Sequence, residues 1–342
     1  MAARENVSLN ALRALAAVLV AIGHLRALLF RDYADVPHTL ANKAFYAVTG
    51  LGHPAVVVFF VLSGYWVGGA VLRSTGRGTF RWRDYLNSRL TRLWLVLLPA
   101  LALTALVDFV GRRTFTTTDV YGGADASDYH SVVPSNPSEH DGWWVLLGNA
   151  GFLSDVRVKT WGTNSPLWSV AFEFWFYLAF PLLVLALRRG PVVRRLVYAL
   201  ALVAVGVLVG LPVIELFPLW LMGAVVASFA PRWLPAVIGR VGRRLGLAQL
   251  LAAGLVFATM LVGSQVVGLV SDLVIGLATA LLVLVLTPDV DRERPPLGLR
   301  AVGWYAHSSY SLYAIHLPLV AVLTALLVPL ARDRWAPRPL HV

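Results

Sequence analysis

The chain contains no cysteine, and only 14% of its 342 residues are charged. Without cysteine it forms no disulfide framework, no thiolate metal site and no covalent thiol intermediate. Soluble globular domains usually carry about 25% charged residues, so this scarcity, together with 58% hydrophobic residues, excludes an ordinary soluble domain. The composition indicates an integral membrane protein whose first partner is the lipid bilayer.

The sequence also lacks an internal repeat, and its opening "MAARENVSLNALRALAA" lacks the small-residue cleavage site of a signal peptide. We interpret the first apolar segment as a retained membrane helix. The formal net charge of +11 is typical of a membrane protein with basic cytoplasmic loops. We therefore expect no nucleic-acid partner. We also expect no metal cofactor.

Apolar stretches of the length needed for a membrane span, about 20 residues, recur along the whole chain. They predict an all-α polytopic membrane helix bundle with about nine or ten transmembrane helices, built as one integral membrane domain over residues 1–342. The nine predicted spans are residues 11–30, 52–72, 93–110, 166–187, 196–210, 212–230, 247–264, 268–287 and 301–330.

Arginine-rich links orient these spans. Residues 73–92 contain six arginines, and residues 188–195 and 231–246 contain four each; all three segments fall on one side of the predicted membrane. Short loops rich in Lys and Arg stay inside the cell, which predicts a cytoplasmic N-terminus in the inner or plasma membrane. Residues 111–165 then form a long extracytoplasmic loop, and loops of this length are commonly functional.

The first span carries ionisable residues that an apolar helix rarely tolerates. Arg13 and His24 are eleven residues apart, which on a helix is about three turns, about 16 Å, and nearly the same face. Ionisable groups at this depth are costly and suggest a functional site. The alternative is that Arg13 is an ordinary basic flank and that His24 makes a packing hydrogen bond.

The fourth span contains a carboxylate in the segment "SPLWSVAFEFWFYLAFPLL". Ser169, Glu173 and Tyr177 follow each other at intervals of four residues and share a helical face. A carboxylate inside an apolar span needs a partner or a proton. Glu173 and His24 are complementary and could form one buried acid–base pair, although a structural hydrogen bond to a neighbouring helix is the alternative.

The last span contains "YAHSSYSLYAIHLPL", an apolar helix with hydroxyl groups and an imidazole. Tyr310, Tyr313 and His316 are candidate site residues. For Ser309 and Ser311 we favour a packing role, because hydroxyls in membrane helices often hydrogen-bond within or between helices.

Arg89 and Arg92 lie one helical turn apart, just before the third span. Positive-inside anchoring alone explains such a pair. The functional alternative is a phosphate-binding site, because the guanidinium fork matches phosphate oxygens.

These motifs, taken in order, resemble the membrane-bound acyltransferase family 3. The family pattern opens with an Arg and a His eleven residues apart, matched by Arg13 and His24. Four further blocks follow in the family's order: "FFVLSG" at 59–64, "RLTRL" at 89–93, "PLWSVAFEFWFYLAFPLL" at 166–183 and "SYSLYAIHLP" at 309–318. Each block alone is weakly specific, but five in order over nearly the whole chain are specific together.

The resemblance implies transfer of an acyl group, commonly acetyl, from a cytoplasmic acyl-CoA to a hydroxyl of a carbohydrate or glycoside acceptor. His24 matches the family's essential histidine, Arg13 the arginine of the same motif, and Glu173 the glutamate of the fourth-span block. We expect His24 and Glu173 to be catalytic, and acyl-CoA, here acetyl-CoA, to be held by Arg13, Arg89 and Arg92. Further substrate contacts are expected from Ser169, Tyr177, Tyr310, Tyr313 and His316.

A thioester donor is already activated, so the enzyme must deprotonate the acceptor hydroxyl. A buried imidazole suits a general base, because burial disfavours the imidazolium form. The alternative is that His24 is itself acylated and passes the group on. The distance of about 16 Å between Arg13 and His24 along the helix is comparable to an extended pantetheine arm, and Glu173 is expected to orient the imidazole or hold the acceptor.

Two other functional classes stay open at this point. A transporter or flippase would use Arg13, His24 and Glu173 as a relay, although inverted repeats would be expected there. A non-catalytic scaffold would tolerate replacement of His24. The sequence also departs from many family members, because it stops at "RDRWAPRPLHV" without a further apolar helix or a fused serine-hydrolase domain. We therefore expect any second acyl-handling step to belong to another protein.

Overall fold

A computed structural model of the chain describes residues 6–116, 119–122, 132–133, 139–241, 244–266, 268–288 and 297–331. Within these ranges the chain is helical and contains no β-strand beyond one isolated bridge. The helices are α1 Val7–Leu29, α2 Leu40–Thr49, α3 Gly52–Ser63, α4 Gly69–Gly76, α5 Trp82–Thr114, α6 Asp119–Gly122, α7 Trp143–Ala150, α8 Leu167–Leu187, α9 Val192–Val209, α10 Leu211–Val241, α11 Leu245–Gly263, α12 Leu269–Leu286 and α13 Leu297–Ala331.

Nine helical segments in the described part of the chain are long and apolar enough to cross a membrane. The predicted all-α, polytopic class is therefore confirmed, and the protein is a multi-pass membrane protein. The nine segments are Val7–Leu29, Leu40–Gly76, Trp82–Thr114, Leu167–Leu187, Val192–Val209, Leu211–Ala230, Leu245–Gly263, Leu269–Leu286 and Ser308–Val328.

Several helices extend further than the hydropathy pattern predicted. α5 already begins at Trp82, so Arg89 and Arg92 are helical, and α10 continues through the expected link to Val241. Arginine has a high helix propensity, so a basic segment can prolong a helix beyond the apolar core. One continuous helix, α13, occupies the region of the last predicted span. α9 and α10 are joined tightly at Gly210, whose φ of 77° is readily adopted only by glycine.

The chain divides into two compact units, each assembled from three separate segments. Unit 1 comprises Met1–Ala16, His53–Leu90 and Phe172–Ser309, and unit 2 comprises Ala17–Gly52, Thr91–Ala171 and Tyr310–Val342.

In unit 1, α3 and the π-helical turn Gly64–Gly68 that follows it pack closely on α10. A Cβ added at Gly64 would lie 1.8 Å from Trp220 O, and one added at Gly223 would lie 1.8 Å from Val61 O. Gly64 and Gly68 form a GxxxG pattern, which lets membrane helices approach backbone to backbone. Only glycine fits at this crossing. Trp220, which is fully buried, packs against the rings of Phe176, Phe180 and Phe217 beside it.

In unit 2, the remaining part of α1 packs on the α2–α3 junction through small residues. A Cβ at Gly23 would meet Thr49 O at 3.3 Å and Gly52 Cα at 3.4 Å. A buried apolar cluster further along joins α1, α13 and the segment after α5. Its members are Leu28, Val120, Tyr121, Val132, Val133, Leu317, Ala321 and Ala325.

Candidate functional site

The structure brings His24 of α1 together with His316 of α13. Nδ1 of His24 lies 2.6 Å from Nε2 of His316, and the two rings are nearly parallel, with an interplanar angle of 12°. His316 is 3% exposed, while His24 is only partly buried. The sequence indicated both histidines separately, but not that each is the other's hydrogen-bond partner.

A backbone carbonyl determines which nitrogens of this pair carry protons when both rings are neutral. His316 Nδ1 lies 2.6 Å from Tyr313 O, and a carbonyl oxygen only accepts, so Nδ1 carries the proton. His316 Nε2 is then an acceptor, and His24 must donate from its own Nδ1. This tautomer leaves Nε2 of His24 with a lone pair, which is the form that a general base or a nucleophile requires.

Tyr313 also joins α13 to the start of α8. Its hydroxyl lies 2.6 Å from Ser169 Oγ, and both hydroxyls lie within hydrogen-bond distance of Pro166 O, at 3.2 and 3.0 Å. Both side chains are buried. Tyr310 lies half-buried one turn earlier on α13. Three of the predicted substrate-contacting residues, Ser169, Tyr313 and His316, are thus connected through α13. Each of them forms hydrogen bonds with other groups of the same chain.

The segment that leads into α8 is anchored by Asn164. Its Nδ2 donates to Thr104 Oγ1 and to Ala314 O, each at 2.9 Å, and the residue is fully buried. One amide therefore ties the end of the long loop to α5 and to α13. Ala314 lies beside Tyr313, so this anchor also determines where α13 meets Ser169.

Asp108 of α5 makes a second anchor for the same loop. It accepts hydrogen bonds from the backbone N–H and the hydroxyl of Thr163, both at 2.7 Å. Gly162, with a φ of 55°, approaches so closely that a Cβ there would lie 2.2 Å from Asp108 Oδ2. Arg112 forms a bidentate ion pair with Asp141 from the loop. The described end of the loop is therefore attached to α5 at several points.

Part of the predicted loop 111–165 can be placed in this way, but residues 117–118, 123–131 and 134–138 lie outside the described residues. The described remainder includes the short helices α6 and α7. Burial raises the pKa of the Tyr121 hydroxyl in α6, and the nearby Asp108 adds to the rise, so this hydroxyl stays protonated at neutral pH. Trp143 and Trp144 are stacked and exposed, at 59% and 67%.

In unit 1, Glu173 accepts two hydrogen bonds at one oxygen. Its Oε1 lies 2.6 Å from Ser63 Oγ and 2.5 Å from the Tyr177 hydroxyl. Trp220 Nε1 donates to Ser63 Oγ at 3.1 Å. The predicted sharing of a face by Glu173 and Tyr177 is therefore seen as a direct contact. Ser63 and Trp220 were missed, although Ser63 is the serine of the "FFVLSG" block and could have been found there.

Arg13, also in unit 1, is held by two contacts of different kinds. Its Nη2 donates to Ala306 O at 2.9 Å, and its guanidinium carbon lies 5.2 Å from the centroid of the Trp66 ring. Ala306 O also accepts a hydrogen bond from Ser309 Oγ within α13, at 2.7 Å, as the packing role for Ser309 predicted. Trp66 lies in the π-helical turn, an irregularity that is frequent at functional sites.

Arg89 and Arg92 both lie on α5, outside its most apolar part. Arg89 is partly exposed and donates to Ser88 Oγ at 3.1 Å, and Arg92 is exposed. One turn before Arg89, the Tyr85 hydroxyl donates to Tyr177 O at 2.8 Å. This contact attaches the start of α5 to α8 in unit 1.

Another ionisable pair was missed. His53 Nε2 lies 3.0 Å from Asp272 Oδ1, joining the starts of α3 and α12. Neither residue belongs to a recognisable motif, so no sequence signal pointed to the pair. Among the described residues no group of three or more potential metal ligands converges.

A family profile described as an acyltransferase domain matches residues 6–342. The chain is 27% identical over 332 residues to "Acyltransferase MdmB" of Streptomyces mycarofaciens, covering 92% of this chain and 78% of that protein. No solved structure matches the chain.

The Asn164 anchor leads to a prediction about stability. Asn164→Asp removes both donated hydrogen bonds and places carboxylate oxygens against Ala314 O, so it should destabilise the protein by roughly 3 kcal/mol. The same exchange at Asn87, which is exposed on α5, is the matched control and should be close to neutral. Thermal melting of the purified proteins in detergent measures both. Equal melting temperatures for the two variants would show that Asn164 anchors nothing.

Proposed function

The chain belongs to the membrane-bound acyltransferase family 3, and from this premise we propose that it is an O-acyltransferase for carbohydrate acceptors. It takes an acyl group, which we propose to be acetyl, from acyl-CoA on the cytoplasmic side. It passes the group to a hydroxyl of a sugar or glycoside on the extracytoplasmic side of the cell membrane. Family membership favours this enzyme over the transporter or flippase considered from the sequence.

The observation that carries the proposal is the hydrogen-bonded series from Tyr313 O through His316 to His24. It supports a neutral His24 whose Nε2 carries a lone pair. In the proposed step, Nε2 accepts the proton of the acceptor hydroxyl while that oxygen attacks the thioester carbonyl. The new C–O bond forms, the C–S bond breaks, and the leaving thiolate takes the proton from Nε2.

In this mechanism His316 acts through His24, not on the substrate. The sequence predicts a substrate contact for His316, whereas its geometry supports a positioning role. By accepting the Nδ1 proton of His24, it selects the tautomer and the ring orientation. If His24 is itself acylated, the same tautomer makes Nε2 the nucleophile.

Substitutions at the two histidines test the reaction. His24→Ala should lower transfer by about 10²–10⁴-fold, the range of a general acid–base group. His316→Phe should lower kcat by a smaller factor and leave the KM of the donor unchanged. His316→Gln should recover part of the rate, because its amide oxygen can accept a hydrogen bond from Nδ1. Transfer is measured with purified protein and radiolabelled acetyl-CoA, after thermal melting has shown that each variant is folded.

Near-normal turnover in His24→Ala would refute the assignment of the base. A donor KM that rises in His316→Phe, at unchanged kcat, would instead restore His316 as a substrate contact.

We further propose that Arg13, Arg89 and Arg92 bind the phosphates of the donor. Arg13 and His24 lie on the same continuous helix, about 16 Å apart along its axis, which suits a pantetheine arm that reaches from the nucleotide to the thioester. Arg89 and Arg92 lie one turn apart on α5, so both can face one anion.

Replacing any of these three arginines by alanine should raise the KM for acetyl-CoA by about tenfold and leave the acceptor KM unchanged. Lysine should rescue only partly, because it cannot form the bidentate contact. Arg77→Ala, an exposed arginine on the same predicted side, is the control for loss of charge alone. Steady-state kinetics measure both KM values. An unchanged donor KM in all three variants would leave membrane anchoring as the role of these arginines.

For the acceptor we propose the extracytoplasmic side, with the loop 111–165 selecting the sugar. Its stacked, exposed Trp143 and Trp144 suit contact with sugar faces. Because His316 already occupies the N–H of the neutral His24, Glu173 and Tyr177, which are paired with each other, are proposed to hold the acceptor. Ser169 and Tyr310 complete the proposed substrate contacts.

The loop proposal requires that Trp144 lies outside the cell. Because the chain has no native cysteine, Trp144→Cys should react with an impermeant thiol reagent in intact cells, whereas Arg77→Cys should react only after lysis. Exchange of the loop for that of a relative should then change acceptor preference without changing the donor KM. Labelling of Trp144→Cys only in lysed cells would overturn both the orientation and the role of the loop.

A further inference from the structure

A basic cavity of about 510 Å³ in unit 1 has no place in the proposed reaction. It lies between the segment that precedes α5 and the short link from α8 to α9. Its lining includes Arg188, Arg189, Arg194 and Arg195 together with aromatic side chains, and no Asp or Glu is among its described lining residues. All four arginines are exposed, so the cavity opens at the surface of the protein.

Within the part of the chain that the structure describes, no carboxylate forms an ion pair with the arginines of this cavity. Arg188 donates to Thr75 O, and Arg195 Nε donates to Ala186 O at 3.0 Å, so both partners are neutral carbonyls. Among the described residues, Arg189 and Arg194 form no ion pair with a carboxylate. Guanidinium groups that line one cavity suit a phosphate, whose oxygens match their donor geometry.

The helix that continues from the cavity exposes an almost uninterrupted apolar surface. Only 6% of the α9 span is buried within the protein, and Val193, Leu200 and Val207 are 75%, 68% and 74% exposed. A surface of this kind contacts lipid acyl chains. The basic cavity and the acyl-chain surface therefore follow each other directly along the chain.

Aromatic residues lie where the arginine-lined cavity meets the apolar surface of α9. Trp82 and Tyr198 both line the cavity, and their ring centroids are 6.5 Å apart. Trp and Tyr are enriched where a membrane protein passes the headgroup region. The arginines, the interfacial aromatic residues and the apolar surface of α9 thus follow each other in the same order as the phosphate, the interfacial region and the acyl chains of a phospholipid.

We propose that this cavity binds the headgroup of an anionic phospholipid from the leaflet that the positive-inside rule assigns to the cytoplasm. The phosphate lies among the four arginines, and the acyl chains lie along α9. Basic cavities beside membrane helices on this side are suited to anionic headgroups. The site is independent of the donor site proposed at Arg13, Arg89 and Arg92.

The test uses the full chain, purified in neutral detergent and titrated with phosphatidylglycerol, with phosphatidylcholine as the zwitterionic probe. Native mass spectrometry measures the lipid that each protein retains. Arg189→Ala/Arg194→Ala should weaken phosphatidylglycerol binding by roughly 30-fold and leave phosphatidylcholine binding unchanged. Arg77→Ala/Arg83→Ala removes the same charge from exposed arginines outside the cavity, and should weaken binding by less than about threefold.

Three results would overturn the proposal. Equal losses in the two double variants would show a diffuse effect of surface charge. Unchanged phosphatidylglycerol binding in Arg189→Ala/Arg194→Ala would show that the lipid does not use the cavity. Unchanged lipid binding with a tenfold weaker affinity for acetyl-CoA would assign the cavity to the donor's phosphates. If the double variant does not fold, as judged by melting in lipid-free detergent, Arg194→Gln is measured in its place with the same expected direction.

Discussion

A polar side chain inside the membrane is costly unless it finds a partner within the protein, because lipid offers none. This constraint shapes the whole molecule. His24 meets His316, Glu173 accepts from Ser63 and Tyr177, and the amide of Asn164 donates to two helices at once. An unpaired group at any of these places would cost about 1–3 kcal/mol. The residues proposed for the reaction and the residues that specify packing are therefore largely the same.

Close helix packing is what makes these pairings possible. Ser63 reaches Glu173 from the end of α3, where the π-helical turn begins and where Gly64 lies against the backbone of Trp220. A larger residue at Gly64 would force the helices apart and move Ser63 with them. In unit 2, Gly23 has the corresponding role beside His24, because it lies against the backbone at Thr49 and Gly52. At these two positions glycine is favoured because a Cβ atom would meet the neighbouring backbone, not because the chain adopts a conformation that only glycine allows.

The proposed reaction needs groups of opposite character at different depths. Binding the donor's phosphates requires positively charged side chains at the cytoplasmic surface. A general base must instead be neutral and screened from water. One continuous helix, α1, carries an arginine near its start and a histidine about three turns later. The same division recurs at the proposed lipid site, where arginines lie in the link after α8 and at the start of α9, and exposed apolar side chains cover the rest of α9.

The sequence alone determined the class of the protein, the spans and the membership of the resembled family. These follow from local properties, since hydropathy depends on neighbouring residues and the motifs are short. It also indicated His24, Glu173 and His316 as candidates, because ionisable groups are conspicuous in apolar segments. It could not show that His24 pairs with a residue 292 positions away, nor that Ser63 supports Glu173.

Those pairings depend on how the helices cross, and the crossings depend on glycine contacts that helical periodicity does not reveal. The tertiary structure also decided the tautomer of His24, because the proton position follows from a carbonyl oxygen at Tyr313 on another helix. It brought the arginines of one link around a cavity that spacing alone does not predict. Sequence determined which chemical groups the membrane must accommodate, and packing determined which of them meet.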